Sequence, residues 1–462
     1  MMNVKFRLTI MSFMQFFVWA AWLITIANYW FGTKQWDGAD FGIIFSTMGI
    51  ASLFMPTLTG ILADKWINAE RLYAILHILY AATMFYLPQV ENPHSFFWVM
   101  LVAMCFYMPT IALSNSISYT TLKNGNYDVV KSFPPIRVWG TVGFIVAMWI
   151  TNLTGNKASA NQFYIAGISA LALGFYSFTL PACKPSNLIS EKTSFIQKLG
   201  LESFKLFADY KMALFFVFSM FLGAALQLTN AYGDVFLDEF KLFPVFADSF
   251  VIKYSTIILS ISQISETLFI LAIPFFLKKF GIKWVIVIAM FAWVLRFGLF
   301  AYGDPSSNLW MIIVSCIVYG MAFDFFNISG SLFVETSTTP KTRSSAQGLF
   351  MMMTNGFGAV FGSLVSGLMI NKYFTTYYTS IDSLSKYVKS EADNTHLLKF
   401  LQNKGISVLE NGNLSRPLDV KDWHNIWLTF TIYVLVIAVV FVLVFKHKHT
   451  KAEEKAIEAI SH

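Results

Sequence analysis

Four polar side chains in two apolar stretches have the types and the spacing to bind one polar ligand. Gln263 and Glu266 lie three residues apart in an apolar run from about 250 to 277, and Gln227 and Asn230 repeat that spacing in an earlier run. Residues three apart lie on the same face of a helix, about one turn from each other. The alternative is that such groups only bond to neighbouring helices, but the recurrence of the pair favours a shared ligand.

Glu266 is the most demanding of the four, because it lies midway along a run long enough to cross a bilayer. A charged side chain at that depth costs about 2.5 to 3.5 kcal/mol on insertion scales unless it faces protein or water. Its presence therefore indicates a function inside the membrane.

Composition sets the class of protein. Of 462 residues, 56% are hydrophobic and only 13% are charged, and there are 48 Phe and 13 Trp. A soluble core does not need so much apolar surface. The runs do not alternate at every second residue, which excludes a spanning β-barrel. The sequence therefore predicts an all-α membrane protein with many spans.

We count twelve spans in two groups of six. The uncleaved first span is predicted over 8–30, because it is too long for a signal peptide. Others are predicted at about 41–63, 71–88, 96–121, 134–154, 161–181, 211–236, 249–277, 284–302, 308–335, 343–371 and 424–446. This division gives an N-terminal half over 1–181, a central loop over 182–210, a C-terminal half over 211–446 and a tail over 447–462. Weak similarities between the halves indicate two six-helix repeats with a site between them.

Basic residues set the expected orientation. Lys5, Arg7, the lysines of the central loop and those of the tail fall on one side, whereas the opposite short loops carry few. This asymmetry predicts that both termini are cytoplasmic and that the insert over 372–423 is periplasmic. Because the basic residues of the +7 chain lie mainly in short loops, we expect no nucleic-acid partner.

A short loop motif resembles a known superfamily. Gly60-x-x-x-Asp64-Lys65, followed by Glu70-Arg71, is similar to the cytoplasmic loop signature of the major facilitator superfamily, although Trp66-Ile67-Asn68-Ala69 replaces its usual end. The resemblance implies the major facilitator fold. It also implies that Gly60, Asp64 and Lys65 form a conformational gate whose charges hold neighbouring helix ends together.

Three longer stretches resemble a particular family. These are Phe133 to Thr141, Ser260 to Phe269 and Ala322 to Gly330, and they are similar to the bacterial nucleoside permeases of the nucleoside:proton symporter family. The resemblance runs from the first span to the last. It implies proton-coupled import of purine and pyrimidine nucleosides, such as uridine or adenosine, by a multi-pass protein of the bacterial inner membrane. The substrate-binding residues that it implies are Arg137, Thr141, Phe144, Gln227, Asn230, Gln263, Glu266, Tyr319 and Phe323.

Two carboxylates are candidates for carrying the proton. Glu266 is the first, because burial disfavours the charged form of a carboxylate and a ligand or Arg137 would alter that balance. Asp324 is the second, with a structural role in pairing or capping as its alternative. The proton gradient would drive transport, and we expect no cofactor. We also expect a monomer.

Other functions leave little trace in the sequence. No metal cluster is expected, because His77 and His424 have no partner at ligand spacing, and no nucleophile has a base at useful spacing, so an enzyme or sensor is not predicted. A permease for another sugar-like solute and an uncoupled nucleoside facilitator remain open. Arg296 and Glu335 are interpreted as structural pairs or as side chains that extend to the membrane surface.

Overall fold

The structure is a computed structural model that describes residues 3–185, 201–246, 249–338, 343–389 and 394–447. Within these ranges it contains twelve helical segments of membrane-crossing length. Residues 186–200 of the predicted central loop, Lys341, and the predicted tail from 448 onward lie outside the described residues.

Helices are numbered in chain order. The two short helices of the insert are α12 and α13, so the twelfth span is α14. They are α1 (Val4–Leu23, continued to Lys34), α2 (Gly38–Lys65), α3 (Ala69–Tyr86), α4 (Pro93–Asn124), α5 (Val129–Leu153), α6 (Asn161–Ser177), α7 (Tyr210–Glu239), α8 and α9 (together Ser255–Tyr302), α10 (Leu309–Ser337), α11 (Arg343–Met351 to Ala359–Tyr373) and α14 (Trp423–Val444). Nine stretches of the described residues are both long and apolar enough to cross a membrane. The remaining spans are α3 and α6, with 18 and 17 residues, and the second span within Ser255–Tyr302.

Three local features set where spans begin, break and end. Asp128 and Asp209 cap α5 and α7 by accepting hydrogen bonds from the backbone N–H of Lys131 and Met212, at 3.2 and 2.9 Å. Gly281 separates α8 from α9 with φ 73°, a conformation that glycine adopts most readily. The sixth span ends at Ser177 rather than 181, ahead of Pro181, which cannot donate a backbone hydrogen bond.

The helices form two halves with matching contacts. The N-half comprises α1 to α6, and the C-half comprises α7 to α11 with α14. The halves meet where α2 packs against α11 and where α5 packs against α8. Exchanging each span with the one six places away converts the first contact into the second, as two parallel repeats require. The all-α fold of twelve spans is confirmed.

A small folded unit lies between α11 and α14, where the sequence predicts an insert of uncertain structure. It contains β1 (Thr375–Ser380), α12 (Ile381–Val388), α13 (Thr395–Asn403) and β2 (Asn413–Lys421). The strands pair antiparallel, with Thr375 opposite Lys421. Leu384, Leu397 and Leu401 form an apolar core that packs on Leu242 after α7. The insert therefore docks on the C-half and adds a two-stranded sheet to an otherwise helical protein.

The two ends of the bundle are named by what they carry. The insert end carries residues 374–389 and 394–422, and the termini end carries Asn3 and residues 445–447. At the insert end, Asp234 and Asp238 of the C-half form ion pairs with Lys157 of the N-half at 3.0 and 3.1 Å. Asn28 also donates a hydrogen bond to Asp234. These contacts join the halves at the insert end.

Candidate functional site

Each group of predicted site residues lies on one face of its helix. On α5, Arg137, Thr141 and Phe144 are four and three residues apart, so their side chains follow one another along the same face. Gln227 and Asn230 of α7 do the same, as do Gln263 and Glu266 of α8. On α10, the rings of Tyr319 and Phe323 are nearly parallel, at 4°, with centroids 5.7 Å apart.

One cavity of about 600 Å³ between the halves brings these faces together. All nine predicted substrate-binding residues line it, three from the N-half and six from the C-half. Its wall reaches Thr57 of α2, Asn115 of α4 and Gly348 of α11, which lie toward the termini end of their helices. The cavity therefore extends from the middle of the bundle toward the termini end.

Close helix packing fixes the C-half wall of the cavity. A methyl group on Gly320 of α10 would lie 2.6 Å from the backbone N of Glu266, so only glycine allows the two helices to approach this closely. Ser265 strengthens the contact by donating a hydrogen bond to the carbonyl oxygen of Ile317. The backbone that carries Glu266 is thereby held against the helix that carries Tyr319 and Phe323.

Several buried polar atoms of the cavity wall have no hydrogen-bond partner among the described residues. Among the described residues, the buried side-chain oxygens Oε1 of Gln227 and Oε1 of Gln263 have no hydrogen-bond donor. The guanidinium carbon of Arg137 lies 4.0 Å from the ring centroid of Phe16. Among the ion pairs of the described residues there is none between Arg137 and Glu266. Buried polar groups normally have partners, so acceptors of this kind suit a ligand that donates hydrogen bonds.

Asp324 differs from the other predicted residues in its position. Its side chain is buried at 5% exposure and does not line the cavity, although its neighbour Phe323 does. Within the described residues, its Oδ2 has no hydrogen-bond donor. Neither the pairing nor the capping alternative is thus seen for this atom.

The predicted gate residues lie away from the cavity. Asp64 is exposed at the end of α2, and no ion pair to it is present in the described ranges. Lys65 lies 6.0 Å from the ring of Trp66, and Gly60 has open space around it. Glu70 makes the connection at this end instead, accepting a 2.8 Å hydrogen bond from the backbone N of Cys183 after α6. The gate role stays a prediction.

Several residues of the cavity wall are not predicted from the sequence. Phe16 and Trp19 of α1 line the wall, and Trp19 contacts Phe144 edge to face with centroids 6.3 Å apart. Asn115 of α4 and Asn355 of α11 also line it. Each is an amide in an apolar span, but neither has an amide or carboxylate partner three residues away, which is the spacing that selected Gln227 and Asn230. No comparable signal distinguishes Phe16 among so many phenylalanines.

A twelve-helix bundle whose halves enclose a cavity lined by apolar, aromatic and some polar side chains defines a membrane transporter of the major facilitator type. The model of the family described as "Nucleoside H+ symporter" matches residues 2–389. The chain belongs to this family of transporters, and it is not an enzyme.

Relatives match the chain over its whole length. A xanthosine permease of Escherichia coli K12 is 46% identical, and the nucleoside permease NupG of the same organism is 45% identical, each covering 100% of both chains. A crystal structure of the nucleoside transporter NupG superimposes with a TM-score of 0.81 and 45% identity, over 97% of this chain and 100% of that one.

Proposed function

We propose that this protein imports nucleosides together with protons across a bacterial inner membrane. The observation that carries the proposal is the single cavity of about 600 Å³ lined by all nine residues selected from the sequence. Membership of the nucleoside H+ symporter family supports it, as do relatives named for nucleoside and xanthosine transport.

The cavity wall suits both parts of a nucleoside. Phe144 and the stacked pair Tyr319 and Phe323 offer faces for a base, and stacking is worth about 1 to 3 kcal/mol per base in other nucleic-acid sites. The free oxygens of Gln227 and Gln263 accept from ribose hydroxyls or from base N–H groups. A single arginine opposite a carboxylate is too little charge for a nucleotide phosphate, so neutral nucleosides such as uridine or adenosine are the proposed substrates.

The difference between the two ends of the bundle supports transport by alternating access. The halves are joined at the insert end, and the cavity extends toward the termini end. With both termini in the cytoplasm, as the basic residues indicate, this arrangement is an inward-facing state. The proposed transporting unit is a monomer, and the proton gradient, without a cofactor, is the proposed driving force.

Glu266 is the proposed proton carrier, because its side chain lines the cavity, where it can exchange a proton with water and bind substrate. Asp324 lies behind that wall and is the second candidate. One proton moving inward gains about 2.3 kcal/mol per 100 mV, which supports accumulation of a neutral solute.

Uptake into proteoliposomes tests the proposal. Labelled uridine and adenosine should accumulate when the outside is acidic, and a protonophore should abolish accumulation. Glu266→Gln should bind nucleoside but not accumulate it. Accumulation by Glu266→Gln equal to that of the wild type would transfer coupling to Asp324. Uptake that ignores the gradient would leave an uncoupled facilitator, and competition by free sugars but not by nucleosides would indicate another solute.

A further inference from the structure

Arg296 of α9 is a buried cation that the proposed transport cycle does not use. Its side chain is 1% exposed. The sequence predicts structural pairing or extension to the membrane surface; the partners found are hydroxyl and backbone oxygens within the bundle, and the side chain does not reach the surface. Among the described residues no carboxylate pairs with it, and it is buried within the C-half. A buried charge without a counter-ion is costly, so its contacts must stabilise it.

Hydrogen bonds from Arg296 connect three helices. Its Nη1 donates to the carbonyl oxygen of Ser315 on α10 at 2.8 Å and lies 3.5 Å from Oγ of Ser262 on α8. Ser315 Oγ donates in return to the carbonyl oxygen of Arg296 at 2.9 Å. Ser262 immediately precedes Gln263, so the guanidinium lies directly behind the part of α8 that lines the cavity.

Cys316 and two aromatic rings supply further contacts, and Nε of Arg296 has no hydrogen-bond partner among the described residues. The guanidinium carbon lies 4.6 Å from the ring centroid of Tyr319 and 5.0 Å from that of Phe300. Desolvated cation–π contacts of this kind stabilise both the cation and the orientation of the ring. Tyr319 lines the cavity and stacks on Phe323, whereas Phe300 is not part of the cavity wall.

We propose that Arg296 is a positioning residue for nucleoside binding. It holds Tyr319, and through it Phe323, in the orientation in which the two rings meet the base, and it supports the turn of α8 that carries Gln263. Arg296 acts from behind the wall, without touching the substrate. The proposal rests on the proposed nucleoside transport and adds a residue to the binding site.

Binding of uridine and adenosine to purified wild type, Arg296→Met and Arg296→Lys tests this role, together with the KM and kcat of uptake. Arg296→Met should weaken binding about tenfold and raise KM more than it lowers kcat. Arg296→Lys keeps the charge but not the forked geometry, so it should recover part of the loss. If the Arg296→Met protein cannot be produced in folded form, Arg296→Lys gives the same test with a smaller expected loss of affinity.

Two controls separate positioning from general stability. In a Tyr319→Leu background the change at Arg296 should reduce affinity by a smaller factor than it does in the wild type, because the ring that it positions is gone and only its support of α8 remains. Phe300→Leu removes the other ring beside Arg296, so it should lower thermal stability and leave affinity within about twofold.

The proposal fails if the Arg296 variants bind like the wild type, if their loss is unchanged without the Tyr319 ring, or if Phe300→Leu weakens binding as much as Arg296→Met. Absence of nucleoside binding by the wild type would refute the proposed function itself.

Discussion

The two ends of the helix bundle differ in how the halves meet. At the insert end, buried charges and close backbones join them. Lys157 lies between Asp234 and Asp238, and Gly367 of α11 approaches Gly42 of α2 so closely that a methyl group on Gly367 would lie 2.8 Å from the Cα atom of Gly42. At the termini end, the cavity separates the halves. The contacts that would break during the proposed transport cycle are thus concentrated at the insert end, whereas the proposed ligand-binding residues line the cavity that extends toward the termini end.

Of the substitutions considered, Lys157→Met should most weaken the contact between the halves at the insert end. It removes the cation that pairs with the buried Asp234, whereas Asp238 keeps its ion pair with Lys241, and breaking a buried pair in this way costs about 3 to 5 kcal/mol. The insert end should open. Spin labels on exposed Asn161 and Val245, which belong to opposite halves, would report a longer distance by pulsed electron resonance.

The response to pH provides a check on Lys157. Burial lowers its pKa, but the carboxylates of Asp234 and Asp238 outweigh burial, and the pKa is raised overall. A raised pKa means that the stabilisation is complete below the ordinary lysine value of about 10.4 and is lost only at higher pH. The label distance should therefore not respond to Lys157 between pH 6 and 9. A change in that range that disappears in Lys157→Met would contradict this assignment.

Gly367→Ala should have the next largest effect. The added methyl group meets the backbone of Gly42, which cannot rotate away, and overpacking of this kind costs about 1 to 3 kcal/mol. The same label pair should show more of the open insert end, together with slower uptake. An unchanged distance distribution would mean that α2 and α11 separate at little cost.

Gln35→Ala tests the contact between the insert and the N-half. Gln35 follows α1 and donates a hydrogen bond to the carbonyl oxygen of Lys404 in the insert. Its loss should cost about 1 kcal/mol and shift the label distances slightly. An effect as large as that of Lys157→Met would show that the insert, and not the ion pairs, closes this end.

Gly60→Ala should have the smallest effect. No atom lies within 4 Å of an added methyl group, so a change within about 0.5 kcal/mol is expected at this end of the bundle. It also serves as the matched control for Gly367→Ala. A marked loss of uptake would support the gate role predicted for Gly60, Asp64 and Lys65.

Hydropathy predicted most of the fold because each span must be apolar over a fixed length. It predicted one span on each side of the break at Gly281. It did not predict that the first span continues to Lys34, where Tyr29–Lys34 forms a π-helix. Nor did it predict β1 and β2, because the strands of the insert pair with each other across 32 intervening residues and are only partly buried.

The site was predicted unevenly for a physical reason. Spacing placed Gln263 beside Glu266, because helix geometry alone determines that relation. It could not join α8 to α5 or α10, and family resemblance supplied Arg137 and Tyr319. Neither approach predicts the role proposed for Arg296, because its contacts with Ser262 and Ser315 exist only after three helices have packed.

The insert has a practical consequence for imaging. A small transporter that is almost entirely surrounded by detergent offers few landmarks for aligning particles. Here a folded unit with its own core projects from one half and presents Tyr377 and Leu409 at its surface. An antibody fragment raised against that surface would provide a rigid fiducial whose tilt reports the rocking of the C-half in each particle.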